Sequence, residues 1–181
     1  MRVETTRLRD VLLFRPVPQH DDRGFFSRTF DAELAAAYGV GGATFVQDSQ
    51  SRSRGGTLRG LHGRSGAGEA KLVRCARGAI LDVIVDARPA SPTFGLHQGF
   101  RLDDEELCSL YVPRGFLHGF QVLSEVADIC YRIDRPHDPS EDLSVRYDDP
   151  ELAIRWPLPA GVLSGRDRRA GSWRDLTAGH G

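Results

Sequence analysis

Lys71-Leu-Val-Arg-Cys-Ala-Arg-Gly-Ala-Ile-Leu-Asp-Val-Ile-Val-Asp86 is the stretch that decides the fold class. Two apolar runs, 71–75 and Ala79–Asp86, flank a turn signal at Arg77-Gly78, the pattern of strands joined by a tight turn. Along a strand, successive side chains point to opposite faces. Ile80, Asp82, Ile84 and Asp86 therefore share one face, and Leu81, Val83 and Val85 share the other. The second face is uniformly apolar and is expected to be packed core. The first sets carboxylates among isoleucines, which suits the wall of a polar cavity.

The same punctuation continues along the chain. Residues 94–102 follow a proline-containing loop at 89–92, and residues 107–112 follow the acidic turn 103–106. Residues 117–123 follow Pro113-Arg114-Gly115, and Val126–Ile133 follows Ser124-Glu125. Short strands spaced by roughly 8–12 residues and separated by turn signals predict an all-β sandwich or barrel. In the last strand Ile129, Tyr131 and Ile133 share a face. Polar side chains on the inside of such a fold suggest an enclosed site, with an interior filled by side chains as the alternative. One short helix is expected over residues 32–38, with Asp31 as its N-cap and Gly39 as its stop. The stretch 168–181 is polar and glycine-rich and is expected to be loosely ordered. The 181 residues suit a single domain, 1–181, large enough for a core without disulfides or metal.

Composition narrows the partner class. The net charge is −1, and there is neither a basic block nor an acidic tail. That argues against nucleic acid and membrane surfaces and for a small-molecule partner. Residues 1–20 lack the apolar run of a signal peptide, so a soluble cytoplasmic protein is expected. Cys75, Cys108 and Cys130 are odd in number, widely spaced and set in apolar runs. They read as reduced thiols, not as a disulfide framework. Of the 24 basic residues, 23 are arginine and one is lysine, Lys71. A compact ammonium is not interchangeable with a planar guanidinium, so a lone lysine in an arginine-rich chain marks a candidate functional position, with chance as the alternative.

The residues able to carry chemistry are concentrated in a few segments. These are Asp22-Arg23-Gly24-Phe25-Phe26, Phe45-Val46-Gln47-Asp48, Leu58-Arg59-Gly60-Leu61-His62 and Lys71-Leu72-Val73-Arg74-Cys75, with Asp82. Further along come Gly115-Phe116-Leu117-His118-Gly119-Phe120, Tyr131-Arg132, and Leu163-Ser164 with Asp167. Taken in order across nearly the whole chain, they resemble the dTDP-4-dehydrorhamnose 3,5-epimerases. These are small cupin-type jelly rolls that act on dTDP-4-keto-6-deoxyhexoses without metal or organic cofactor.

Epimerising a carbon beside a ketone requires a base on one face and an acid on the other. It also requires positive charge or hydrogen bonds at the enolate oxygen. The resemblance implies His62 as base, Asp167 as the carboxylate that orients it, Lys71 at the keto oxygen and Tyr131 as acid. It implies substrate binding by Arg23, Phe26, Gln47, Arg59, His118 and Asp82, and a homodimer whose subunits share nucleotide contacts. By residue type alone, His62 also reads as a surface histidine, Tyr131 and Phe26 as core aromatics, Asp82 as part of a hydrogen-bond network and Asp167 as a solvated carboxylate. Arg23 and Arg59, each followed by glycine, suit bidentate phosphate contact with close backbone approach.

The sequence also departs from the family. Arg28 stands where the family usually has a thymine-holding glutamate, and a guanidinium cannot accept the thymine N–H. Gly63 and Arg64 replace an aromatic and a glutamine, and Pro136 and His137 replace a tyrosine pair near the sugar. These changes leave open whether C3 alone or both C3 and C5 are inverted. Two other classes compete. Pro113-x-Gly115-x-x-His118 resembles a cupin metal motif, but its partner motif is absent, because His62-Gly63-Arg64 lacks the second histidine. A non-catalytic sugar-nucleotide binder on the same fold is the other.

Overall fold

The structure is a computed structural model and describes residues 1–40 and 45–178. In chain order the elements begin with β1 (Arg2–Thr5), β2 (Leu12–Arg15), the hairpin β3 (Gln19–Asp21) and β4 (Gly24–Phe26), and helix α1 (Ala32–Ala37). Then follow β5 (Gln47–Arg54), β6 (Leu58–Arg64), β7 (Lys71–Arg77), β8 (Ala79–Asp86), β9 (His97–Asp103), β10 (Ser109–Val112), β11 (Phe116–Val122) and β12 (Val126–Ile133). The chain closes with β13 (Asp142–Ser144), α2 (Gly165–Arg168) and α3 (Trp173–Thr177).

Two antiparallel sheets form the body. One runs β1-β2-β10-β7-β12-β5 and the other β13-β6-β11-β8-β9. Their facing sides enclose the main core. The first sheet contributes Val73, Cys75, Leu110 and Ile129, and the second Ile80, Ile84, Phe100, Phe116 and Phe120. This is the all-β jelly-roll sandwich expected from the strand spacing.

Strands Ala79–Asp86 and Val126–Ile133 fall where the alternation places them. Two others begin later than expected, for local reasons. Asp86 accepts hydrogen bonds from Ser91 Oγ and Thr93 Oγ1, each at 2.6 Å, and pairs with Arg88 at 2.7 Å. These bonds hold residues 91–95 as a loop, so β9 starts at His97. Leu107 has a positive φ of 56°, which no strand residue tolerates, so β10 starts at Ser109. Helix α1 is capped by Asp31, whose side chain accepts from the Leu34 N–H.

Both faces of β8 are packed, and Val83 and Val85 are buried as expected of the apolar face. Ile80, Asp82 and Ile84 face the inter-sheet core, and it is the apolar outer face that needs a separate cover. The C-terminal segment supplies that cover. Val85 packs with Leu61, Leu117, Val145, Leu152 and Trp173. The stretch from Arg168 is thus not loosely ordered as far as the described residues run. Trp173 is buried, its backbone N–H donates to Asp149 Oδ2 at 2.8 Å, and Ser172 and Asp175 form a capping box on α3. Burying side chains of this kind is worth roughly 1.5–3 kcal/mol each, which offsets the entropy of ordering the segment.

Candidate active site

His62 lies near the end of β6, directly opposite His118 on β11. His118 is in turn opposite Ile84, a core residue, so both histidines point between the sheets. Tyr131 and Lys71 reach the same space from the other sheet. Tyr131 pairs across β7 with the core residue Val73, and Lys71 lies two residues before Val73. The sandwich therefore presents the imidazoles from one sheet and the phenol and ammonium from the other.

A bulge adds Arg59 to this face. His118 and Phe120 are two apart on β11 and share a side, yet their partners on β6 are His62 and Arg59, three apart. The extra residue, accommodated at Gly60 and Leu61, is what a β-bulge inserts. Gly60 has a φ of 130°, and a Cβ there would sit 2.5 Å from the Gly119 Cα. The glycine after Arg59 thus serves the close approach of two strands, and not the approach of a phosphate to the backbone as expected from the Arg-Gly pair.

The polar geometry is specific. His62 Nε2 lies 2.5 Å from Asp167 Oδ1. A carboxylate only accepts hydrogen bonds, so Nε2 carries the proton and Nδ1 keeps the lone pair. Asp167 has a side chain only 2 % exposed, and its Oδ2 accepts from Ser164 Oγ at 2.8 Å. It is not a solvated carboxylate. Burial pushes the His62 pKa below its ordinary value; the hydrogen bond and charge of Asp167 oppose this, while Arg166 and Lys71 reinforce it. The neutral imidazole is thereby favoured near neutral pH.

On the facing sheet, Tyr131 Oη lies 3.0 Å from Ser51 Oγ. Burial raises the phenol pKa well above its ordinary value, with the nearby Asp82 charge adding to the shift and Ser51 and Arg59 opposing it. The phenol holds its proton throughout the neutral range. The His118 and Tyr131 rings meet edge-on at 6.4 Å. His118 Nε2 donates to Asp82 Oδ2 at 2.8 Å, and both side chains are buried. Asp82 Oδ1 is buried without a hydrogen-bond partner. Arg59 Nε donates to Ser53 Oγ at 3.1 Å. Gln47 pairs with Ile133 at the start of β5, on the face that carries Tyr131.

The structure therefore brings together His62, Asp167, Lys71, Tyr131, His118, Asp82 and Arg59, with Gln47 at the margin. It does not bring Arg23 and Phe26 to them. Both sit on the β3–β4 hairpin, which pairs with neither sheet. Arg23 is 89 % exposed and bonded to Asp21, and Phe26 is 76 % exposed.

The sequence reading missed Ser51 and Ser53, which follow the period-2 alternation of β5. Ser164 is visible in the sequence beside Asp167 without a role of its own, although its Ser-x-x-Asp spacing to Asp167 is a helix-start signature. Ser164 caps α2 and fixes Asp167 in one step. Among the described residues no three histidine, cysteine, aspartate or glutamate side chains are grouped to hold a metal ion. No helix among them is long and apolar enough to cross a membrane. Cys75, Cys108 and Cys130 are unbridged.

Comparison with known proteins agrees with this geometry. Residues 5–175 match the profile of the family described as dTDP-4-dehydrorhamnose 3,5-epimerase. A dTDP-4-dehydrorhamnose 3,5-epimerase of Pseudomonas aeruginosa is 41 % identical over 179 residues, covering 97 % of both chains. A dTDP-4-dehydrorhamnose 3-epimerase of Streptomyces niveus is 37 % identical over 171 residues, covering 94 % of this chain and 83 % of that protein. Among solved structures, a dTDP-6-deoxy-D-glucose-3,5-epimerase from Legionella pneumophila in complex with dTDP-4-keto-L-rhamnose superposes with a TM-score of 0.88. It is 40 % identical and covers 94 % of this chain and 92 % of that one. On fold, site and sequence together, the chain belongs to the dTDP-4-dehydrorhamnose 3,5-epimerase family.

Proposed function

We propose that this protein is an isomerase that inverts C3 and C5 of a dTDP-4-keto-6-deoxyhexose by proton removal and return through an enolate. One observation carries the reading. A half-buried histidine held by a buried carboxylate faces a protonated tyrosine and the chain's lone lysine across the space between the two sheets. His62 Nδ1 takes the proton alpha to the ketone. Asp167 holds the tautomer and stabilises the imidazolium once formed. Lys71 faces the oxygen on which enolate charge develops, and His118 lines the wall beside it. Tyr131 returns a proton from the opposite side, since a phenol is a competent acid toward an enolate. Asp82 orients His118 and offers its second oxygen to a sugar hydroxyl. Arg59 and Gln47 hold the diphosphate and nucleoside end.

Arg23 and Phe26 belong to this reading through a second copy of the chain. An exposed hairpin carrying a cation and two exposed aromatic rings, Phe25 and Phe26, suits completion of a neighbouring subunit's nucleotide site in a homodimer. Sedimentation equilibrium should give twice the chain mass. A monomer that binds dTDP with full affinity would rule this assignment out.

The test of the reaction is proton NMR of dTDP-4-keto-6-deoxyglucose in deuterated water. Loss of signal at both C3 and C5 is expected with the wild type. His62→Ala should abolish exchange while dTDP binding persists; exchange in that variant would overturn the base assignment. Loss at C3 alone would favour a 3-epimerase. That second reading is motivated by Pro136 and His137 in place of a tyrosine pair and by the likeness to the Streptomyces niveus protein.

A further inference from the structure

Beyond the groups that face the substrate, a buried chain of charges runs behind Lys71. Its ammonium lies 2.9 Å from Glu69 Oε1. The other oxygen of Glu69 lies 2.5 Å from Arg64 Nε. The guanidinium continues outward: Nη1 donates to the Asp138 carbonyl at 3.0 Å, and Nη2 contacts His137 Nδ1. The side chains of Arg64, Glu69 and Lys71 are 4, 8 and 14 % exposed. Two of these residues, Arg64 and His137, are positions where the sequence departs from its family, and here they touch each other.

We infer that Glu69 is a positioning residue that, shared with Arg64, fixes the Lys71 ammonium for the enolate. This rests on the reading of Lys71 given above. The charge arithmetic explains why two cations are needed. A carboxylate paired with Lys71 alone would cancel the charge that the enolate requires. With Arg64 on its second oxygen, the trio keeps a net charge of +1, and Lys71 is the member directed at the site. A lysine side chain is otherwise free to rotate about its four-carbon stem. Electrostatic stabilisation is effective when the donor is held in place before charge develops.

The corner that carries Glu69 has supports of its own. The Ala70 N–H donates to Asp134 Oδ1 at 2.8 Å, and Arg135 Nη1 donates to the Gly68 carbonyl at 3.1 Å. Substitution of Glu69 therefore leaves the backbone anchored to the end of β12.

The test is steady-state turnover of dTDP-4-keto-6-deoxyglucose by the full chain, comparing wild type, Lys71→Gln, Glu69→Gln and Arg64→Gln/Glu69→Gln. Glu69→Gln keeps the shape and removes the charge that holds the ammonium. It should lower kcat at least about tenfold while KM stays within about twofold, because the nucleotide contacts are untouched. The double variant removes both members of the buried pair, avoids a stranded guanidinium, and should show the same kcat loss. Wild-type kcat in Glu69→Gln, or in the double variant if the single one does not fold, would overturn the inference while leaving Lys71 in place. Wild-type kcat in Lys71→Gln would instead overturn the role of Lys71, and the inference with it. A loss confined to KM would make the trio a binding element and overturn its positioning role.

Discussion

Asp167→Asn is the substitution that bears most directly on the mechanism. The carboxylate is buried, 2.5 Å from His62 Nε2, and its second oxygen is engaged by Ser164. Asparagine keeps the volume, and its amide can still meet the Ser164 hydroxyl, which both donates and accepts. What disappears is the charge that steadies the imidazolium as His62 takes up a proton. A hydrogen bond to a charged group contributes about 1.5–3 kcal/mol. At 1.36 kcal/mol per factor of ten, that predicts a fall in kcat of about 10- to 150-fold. The pH profile should change in a defined direction. His62 already titrates below its ordinary value because of burial, and the hydrogen bond and charge of Asp167 are what oppose that shift. Removing them lowers the histidine pKa further. The acid limb of kcat/KM, which lies below the ordinary histidine pKa in the wild type, should therefore move to still lower pH as the plateau drops. The assay is the rate of deuterium uptake at C3 by proton NMR across a pH series. Exchange within threefold of wild type, or an acid limb that moves upward, would refute the argument that Asp167 acts through His62.

Other outcomes follow from the same geometry. Tyr131→Phe removes the proton donor but leaves the base, so deuterium uptake should persist while formation of the inverted sugar falls at least about tenfold; NMR of the product sugar distinguishes the two, and inversion at the wild-type rate would exclude Tyr131 as the acid. Gly60→Ala places a Cβ 2.5 Å from the Gly119 backbone at a φ of 130°; strain of this kind should cost at least about 2 kcal/mol, or roughly 4–8 °C in Tm by calorimetry. An unchanged Tm there would mean that the strands separate easily and that the bulge is not what sets Arg59 and His62 on one face.

Much of this molecule could be read locally. Alternation with turn punctuation located β8 and β12 to the residue, because side-chain direction in a strand depends only on position along it. Asp31 and Gly39 bounded α1 because helix ends are satisfied by their own neighbours. The chemistry-bearing residue types were equally visible, since the ordered motifs from Arg23 to Asp167 carry the family resemblance. Other features depend on which distant segments meet. His62 and Asp167 are 105 residues apart, and their 2.5 Å contact exists because the segment leading to α2 closes over β6. The bulge that aligns Arg59 with His62 follows from pairing with β11, whereas the simple period-2 rule would have put them on opposite faces. Trp173 is buried only because β8 presents an apolar outer face to it. Arg64, Glu69 and His137 form one chain of charge only where the β6–β7 corner meets the loop after β12. The sequence alone determined each strand's faces and the kinds of chemistry available, because these follow from local backbone geometry and residue type. Only the tertiary structure decided which of those groups share a proton or a charge, because such pairing depends on register and closure between segments far apart along the chain.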